Sequence, residues 1–214
     1  MKNLSLIILL FLIASCGKVL KTHVKGKVLN PVTGQGIENV RVILQKSGSG
    51  IPSGLKTVEA VYTDAGGNFD ISARTLKGLT ASVVLDGNEY YSIGWQKDGE
   101  VYSILSPKKG KVTNADFHAV PFGKIKTTIK NNACFNSSDE IKLYYDGAFI
   151  ASYGFSIGLL TTLNGCIDIV DPPLKITSDY HYFHWVATKN GLTNTYYDTI
   201  FVNTSGVTNL DIFY

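Results

Sequence analysis

From Val24 onward apolar and polar residues alternate with a period of two, Val40, Val42 and Leu44 on one face and Arg41, Ile43 and Gln45 on the other. The pattern restarts after Pro121-Phe122-Gly123, with Ile125, Thr127 and Ile129 against Lys124, Lys126, Thr128 and Lys130. Helical spacing is nowhere sustained. Further runs read as strands: Glu140–Tyr145, Phe149–Phe155, Leu160–Val170, Tyr182–Thr188, Thr195–Val202 and Thr208–Tyr214. Between them lie Asp146-Gly147, Asn164-Gly165, Asp171-Pro172-Pro173 and Lys189-Asn190-Gly191, residues suited to tight turns; Asn164-Gly165 falls inside a run and can split it. The pattern predicts an all-β chain: two tandem Greek-key or immunoglobulin-like β-sandwiches, over residues 23–120 and 121–214, the second opening on a fresh strand after Gly123.

The amino terminus does not follow this pattern. Leu4 to Ile13 is almost unbroken apolar behind Lys2, too short to cross a hydrocarbon core of about 30 Å as a helix but suited to a signal-peptide core. The run ends Leu12-Ile13-Ala14-Ser15-Cys16-Gly17, which resembles the lipobox of bacterial lipoproteins. The resemblance implies a cleaved signal peptide, residues 1–15, and a thiol at Cys16 that takes up diacylglyceryl and becomes the lipidated end of a short linker, residues 16–22. Several acyl chains such as palmitate hold a protein firmly, since each buried methylene contributes roughly 0.8 kcal/mol. The expected partner is therefore the membrane. Gly17 in place of Asp, by likeness to Gram-negative lipoproteins, implies the outer membrane, facing either the periplasm or the cell surface.

Within the first half, Gly26-Lys27-Val28, Gly34 through Gly36, Ile37-Glu38-Asn39-Val40-Arg41-Val42 and Thr63-Asp64-Ala65-Gly66-Gly67-Asn68-Phe69 resemble the carboxypeptidase regulatory-like domain, a transthyretin-like sandwich. The match covers residues 23–85 well and reaches 120 loosely. It implies a fold and little about function, because the domain accompanies many secreted proteins and is not itself a peptidase. Asp64, Asn68 and Asp70 alternate with glycines as in a calcium loop but lack its distal Glu. The simpler expectation is that Asp64 accepts backbone hydrogen bonds, Gly66 and Gly67 supply positive φ, and Phe69 enters the core. The second half resembles no particular family.

Charge narrows the partners. The formal net charge is +3, and loss of Lys2 with the signal peptide leaves 19 basic against 17 acidic groups, too even a balance for a nucleic-acid partner. Of the three cysteines, Cys134 and Cys166 remain after Cys16 is lipidated. In an oxidising compartment they form one possible disulfide, worth roughly 3.5 kcal/mol by chain entropy; two free thiols or half of a metal site are the alternatives.

The catalytic motifs that carry chemistry on their own are missing. No Gly-x-Ser-x-Gly context and no phosphate-cradling loop occurs, and the acids Asp139-Glu140 and Asp168/Asp171 read as strand and turn residues. His181 and His184 fall in an aromatic, β-branched run, where a spacing of three sends them to opposite faces rather than to one metal. We therefore expect no catalytic residues, no metal and no cofactor. The stretch with binding character is Asn88-Glu89-Tyr90-Tyr91-Ser92-Ile93-Gly94-Trp95, in which Tyr90, Tyr91 and Trp95 can stack on sugar rings if exposed. The expectation is a non-enzymatic binding or structural lipoprotein of the cell envelope with an unknown protein or glycan partner. A carbohydrate-binding accessory lipoprotein, or an accessory to or divergent form of an envelope hydrolase or peptidase, is the alternative.

Overall fold

The computed structural model describes residues 21–47, 54–74 and 78–214. The signal-like run, Cys16 and the glycine-rich stretch at 48–53 lie outside the described residues. Among the described residues every regular element is a strand. The first half holds β1 (Lys21–Leu29), β2 (Arg41–Ser47), β3 (Leu55–Tyr62), β4 (Asn68–Arg74), β5 (Leu79–Val84), β6 (Tyr90–Lys97), β7 (Glu100–Tyr102) and β8 (Val112–Asn114). Next comes β9 (Asp116–Lys130), 15 residues long. The second half holds β10 (Glu140–Ala148), β11 (Gly158–Asn164), β12 (Asp168–Val170), β13 (Leu174–Thr177), β14 (Tyr180–Lys189), β15 (Leu192–Phe201) and β16 (Thr208–Phe213).

The fold is all-β and builds two β-sandwiches. In the first, β3-β2-β5 packs against β4-β1-β9-β6-β7, around Val24, Val28, Val42, Leu44, Ile71, Trp95 and Phe117. In the second, β11-β10-β14-β15 packs against β12, β13 and β16, all three hydrogen-bonded to β9, around Ile125, Ile129, Ile141, Tyr145, Phe183, Leu210 and Ile212. The anticipated fresh strand after Gly123 is instead the second half of β9. Phe117 and Ala119 fill one core and Ile125, Thr127 and Ile129 the other, all on odd positions; only at the crossing point does the pattern break, where Val120 is buried and Pro121 half-buried. Pro121 supplies no N–H, yet pairing continues on both edges around it, Pro121 O accepting from Ser178 N at 2.8 Å and Phe122 N donating to Glu89 O at 2.9 Å.

Other boundaries also moved. Asp146-Gly147 makes no hairpin; Gly147 sits at φ +119° in a register shift within β10. Phe149–Phe155 forms no strand, because its Ile150 and Ala151 N–H groups donate to the Asp179 carboxylate at 2.7 and 2.9 Å rather than to a neighbouring strand. Gly165, at φ +82°, splits the Leu160–Val170 run as anticipated, and Asn190-Gly191 turns β14 into β15 with both residues at positive φ. β13 was not anticipated; with four residues behind a Pro pair it carries too little pattern to read.

Candidate functional site

The Asp64 turn forms as expected, Oδ1 accepting from Gly66 N and Asn68 N at 2.9 and 2.8 Å, while Phe69 is buried; of the two glycines only Gly67 takes positive φ. Asp64 also bonds the Asn68 side chain and Asp70 pairs with Lys25 at 2.7 Å, so their oxygens serve the turn and the strand rather than an ion. No group of three or more potential metal-ligating side chains occurs among the described residues.

His181 and His184 point to opposite faces of β14. His181 is fully buried, Nε2 at 2.8 Å from Thr177 O and Nδ1 at 2.9 Å from Tyr145 Oη, which in turn lies 3.0 Å from Ser152 Oγ. Burial lowers its pKa. Nearby Asp179 accepts from three backbone N–H groups, those of Ile150, Ala151 and Tyr180, so the carboxylate organises a loop and makes no hydrogen bond to the imidazole. Outside, Tyr144, His184 and Tyr197 form a cross-strand row with centroids 4.4 and 5.7 Å apart. Tyr144 and His184 stack face to face, which turns those ring faces toward each other instead of toward a ligand.

The aromatic stretch of β6 divides three ways. Trp95 is fully buried, edge-on to Phe69 at 6.0 Å and Phe117 at 5.2 Å; this corrects the expectation that it offers a face to a sugar. The cause is a register shift between Ser92 and Gly94, where Gly94 adopts φ +128° and β6 inserts one residue against β9, turning Trp95 into the core. Tyr91 instead meets Tyr153 at 5.8 Å, and Tyr153 covers Phe122 at 4.8 Å. Tyr90, packed against the edge of the first core, remains half-exposed, its pKa raised by burial and by neighbouring Glu89.

Tyr90 stands in a groove where the two sandwiches meet. Asp86 creates the turn that presents it, accepting from Asn88 N through Oδ1 and from Glu89 N and Tyr90 N through its carbonyl. Pairing along β9 passes from β6, at Pro121, to β16, at Ile125, and the residues at this changeover line the groove. One part, about 550 Å³, lies among Asn88, Glu89, Tyr90, Lys124, Lys175 and Thr204; a second, about 400 Å³, adds Glu38 and Gln35 and shares Tyr90, Pro121 and Thr204. Gly123 is needed at the changeover, because a Cβ there would stand 2.2 Å from Asn203 O in the β15–β16 connection. Of these residues the sequence had singled out only Asn88 to Tyr90. The pattern places Lys124 only on the strand face opposite Ile125, Glu38 falls in a motif that bears on fold alone, and Lys175 and Thr204 carry no signal, since only the course of β9 brings them together.

Cys134 and Cys166 form a disulfide, their Cα atoms 5.2 Å apart. Cys16 lies outside the described residues.

No family model matches the chain, and no curated protein does. The Bacillus anthracis TIE protein is similar over 91% of this chain and 34% of its own, at 13% identity and TM-score 0.36. A DUF3823 family protein from Bacteroides uniformis is similar over 86% of this chain and 100% of its own, at 12% identity and TM-score 0.34. A streptococcal ancillary pilin is similar over 92% and 63%, at 12% identity and TM-score 0.32. The chain spans about a third of the length of the TIE structure. Values this low link the chain to none of them in function.

Proposed function

We propose that this chain is a membrane-anchored, non-enzymatic binding or structural lipoprotein of the bacterial cell envelope, with the groove around Tyr90 as its binding surface. The observation that carries the reading is the groove itself: open, of ligand size, and lined by an aromatic ring among amide, hydroxyl and charged side chains. The non-enzymatic part is supported by how His181, Asp179 and Asp64 spend their polar atoms on turns, loops and strand ends. The carboxypeptidase regulatory-like assignment of residues 23–120 rests on the motif residues and belongs to the same proposal.

Anchoring rests on Leu12-Ile13-Ala14-Ser15-Cys16. β1 begins at Lys21, five residues after Cys16, so the tether reaches at most roughly 18 Å when extended and the first sandwich lies close to the membrane surface. Outer-membrane residence follows from Gly17 after the cysteine. Metabolic labelling with palmitate tests the anchor: the wild-type chain takes up label and Cys16→Ser does not, whereas an unlabelled wild type contradicts the proposal. Protease added to intact cells then reports which side of the membrane the sandwiches face.

Tyr90 beside Asn88, Glu89 and Thr204 favours the carbohydrate-binding form of this reading over a protein partner, with the groove taking the place of the Tyr90, Tyr91 and Trp95 row.

A further inference from the structure

Lys124 and Lys175 are directly opposed in the antiparallel register of β9 and β13, and Lys126 follows on the same face. Like charges directly opposite across a sheet are destabilising. Among the described residues no carboxylate stands within 4.0 Å of any of these three, although Lys25, Lys97, Lys130 and Lys142 each have one. Lys175 is also held in place, its Nζ 4.0 Å from the centroid of the Phe122 ring and 5.9 Å from that of Tyr153. Lys124 and Lys175 both line the larger part of the groove, where the one acid is Glu89; the second part has Glu38 and no basic residue.

We infer that the groove binds an acidic polysaccharide, its carboxylate on Lys124 and Lys175. The inference rests on the groove being the binding surface. Three features must be met at once by one ligand. The lysines call for an anion. The carboxylates of Glu89 and Glu38, which only accept, call for hydroxyl donors. The Tyr90 ring calls for an apolar ring face, and Asn88 and Thr204 offer an amide and a hydroxyl to fix orientation. A uronic-acid sugar carries a carboxylate, several hydroxyls and a C–H face within one ring, and a volume of about 550 Å³ open to solvent suits a short run of such rings.

Calorimetric titration of the full-length protein in detergent with tetragalacturonate and with neutral maltotetraose tests this. Tetragalacturonate is expected to bind, more weakly as salt rises, and to lose at least tenfold in affinity in the Lys124→Gln/Lys175→Gln double variant. Lys56→Gln, on β3, is expected to leave affinity unchanged. The melting temperature of the double variant should stay close to that of the wild type, because relief of the opposed charges offsets the lost contact of Lys175 with the Phe122 ring, which separates lost binding from lost folding. Equal binding of maltotetraose that Tyr90→Ala abolishes and the lysine variant does not would overturn the inference and leave the groove reading standing. Binding of neither saccharide, or tetragalacturonate binding indifferent to both lysines, would also overturn it, as would capture by phosphatidylglycerol vesicles in place of the saccharide.

Discussion

Tyr145 Oη donates a hydrogen bond to Nδ1 of His181 across 2.9 Å. The direction follows from the other nitrogen, which lies 2.8 Å from Thr177 O; a carbonyl only accepts, so Nε2 carries the proton and Nδ1 is bare. Protonating His181 places a charge inside the second sandwich and turns Tyr145 toward Ser152. Because burial lowers this pKa below its ordinary 6.5, the folded chain binds the proton less readily than the unfolded one. Stability is therefore fully present above about pH 6.5 and declines as pH falls toward 5. Half-buried His118, also lowered by burial, adds to the decline with the same sign. Urea midpoints between pH 8 and 5 should fall in the wild type and fall less steeply in His181→Phe, which is itself destabilised by about 1–3 kcal/mol because Thr177 O loses its donor. An identical slope in both would contradict the assignment.

Trp95→Ala should destabilise the first sandwich by about 3–5 kcal/mol, the range for removing a large aromatic from a packed core, while Tyr91→Ala, at a half-exposed position, should cost less. Equilibrium denaturation separates the two. A near-neutral Trp95→Ala would restore the exposed-platform reading of β6.

Replacing both Cys134 and Cys166 by Ala opens a loop with a sequence separation of 32 and should lower stability by about 3 kcal/mol. Mass spectrometry after alkylation without reductant should find both cysteines unmodified in the wild type; labelling of either under those conditions argues against the bond.

Some elements could be read from the chain because their pattern is local. Asn190-Gly191 announced its hairpin, Asp64 through Phe69 its turn, and the alternation after Gly123 the burial of Ile125, Thr127 and Ile129. What the sequence hid is non-local. Pro121-Phe122-Gly123 look like punctuation, yet the strand runs through them because Glu89 O and Ser178 N supply hydrogen-bond partners from either side. Trp95 looked like a binding residue until a one-residue bulge, invisible to a period-two reading, turned it inward. Lys124 and Lys175 lie 51 positions apart, and no spacing rule brings them together before the register of β9 and β13 is known.

Gly123→Val should destabilise the chain by at least about 1–3 kcal/mol, since Asn203 O and the Val202 side chain occupy the space a side chain would need. It should also disturb the groove floor, which shifts of the Tyr90 and Lys124 amide resonances in NMR spectra would report. A variant of wild-type stability with unshifted resonances would show that the β15–β16 connection does not press on β9 here.

β9 belongs to both sandwiches, so the groove at their junction is built into the fold rather than incidental. The chain has two tryptophans, Trp95 buried in the first core and Trp185 in the second, so Trp95→Phe and Trp185→Phe each leave a reporter in one sandwich. Denaturant unfolding of both variants, followed by fluorescence and by far-ultraviolet circular dichroism, tests the claim most directly. A shared strand predicts that within each variant the single-sandwich and whole-chain midpoints coincide. Separate midpoints, one sandwich melting while the other keeps its strands, would contradict it.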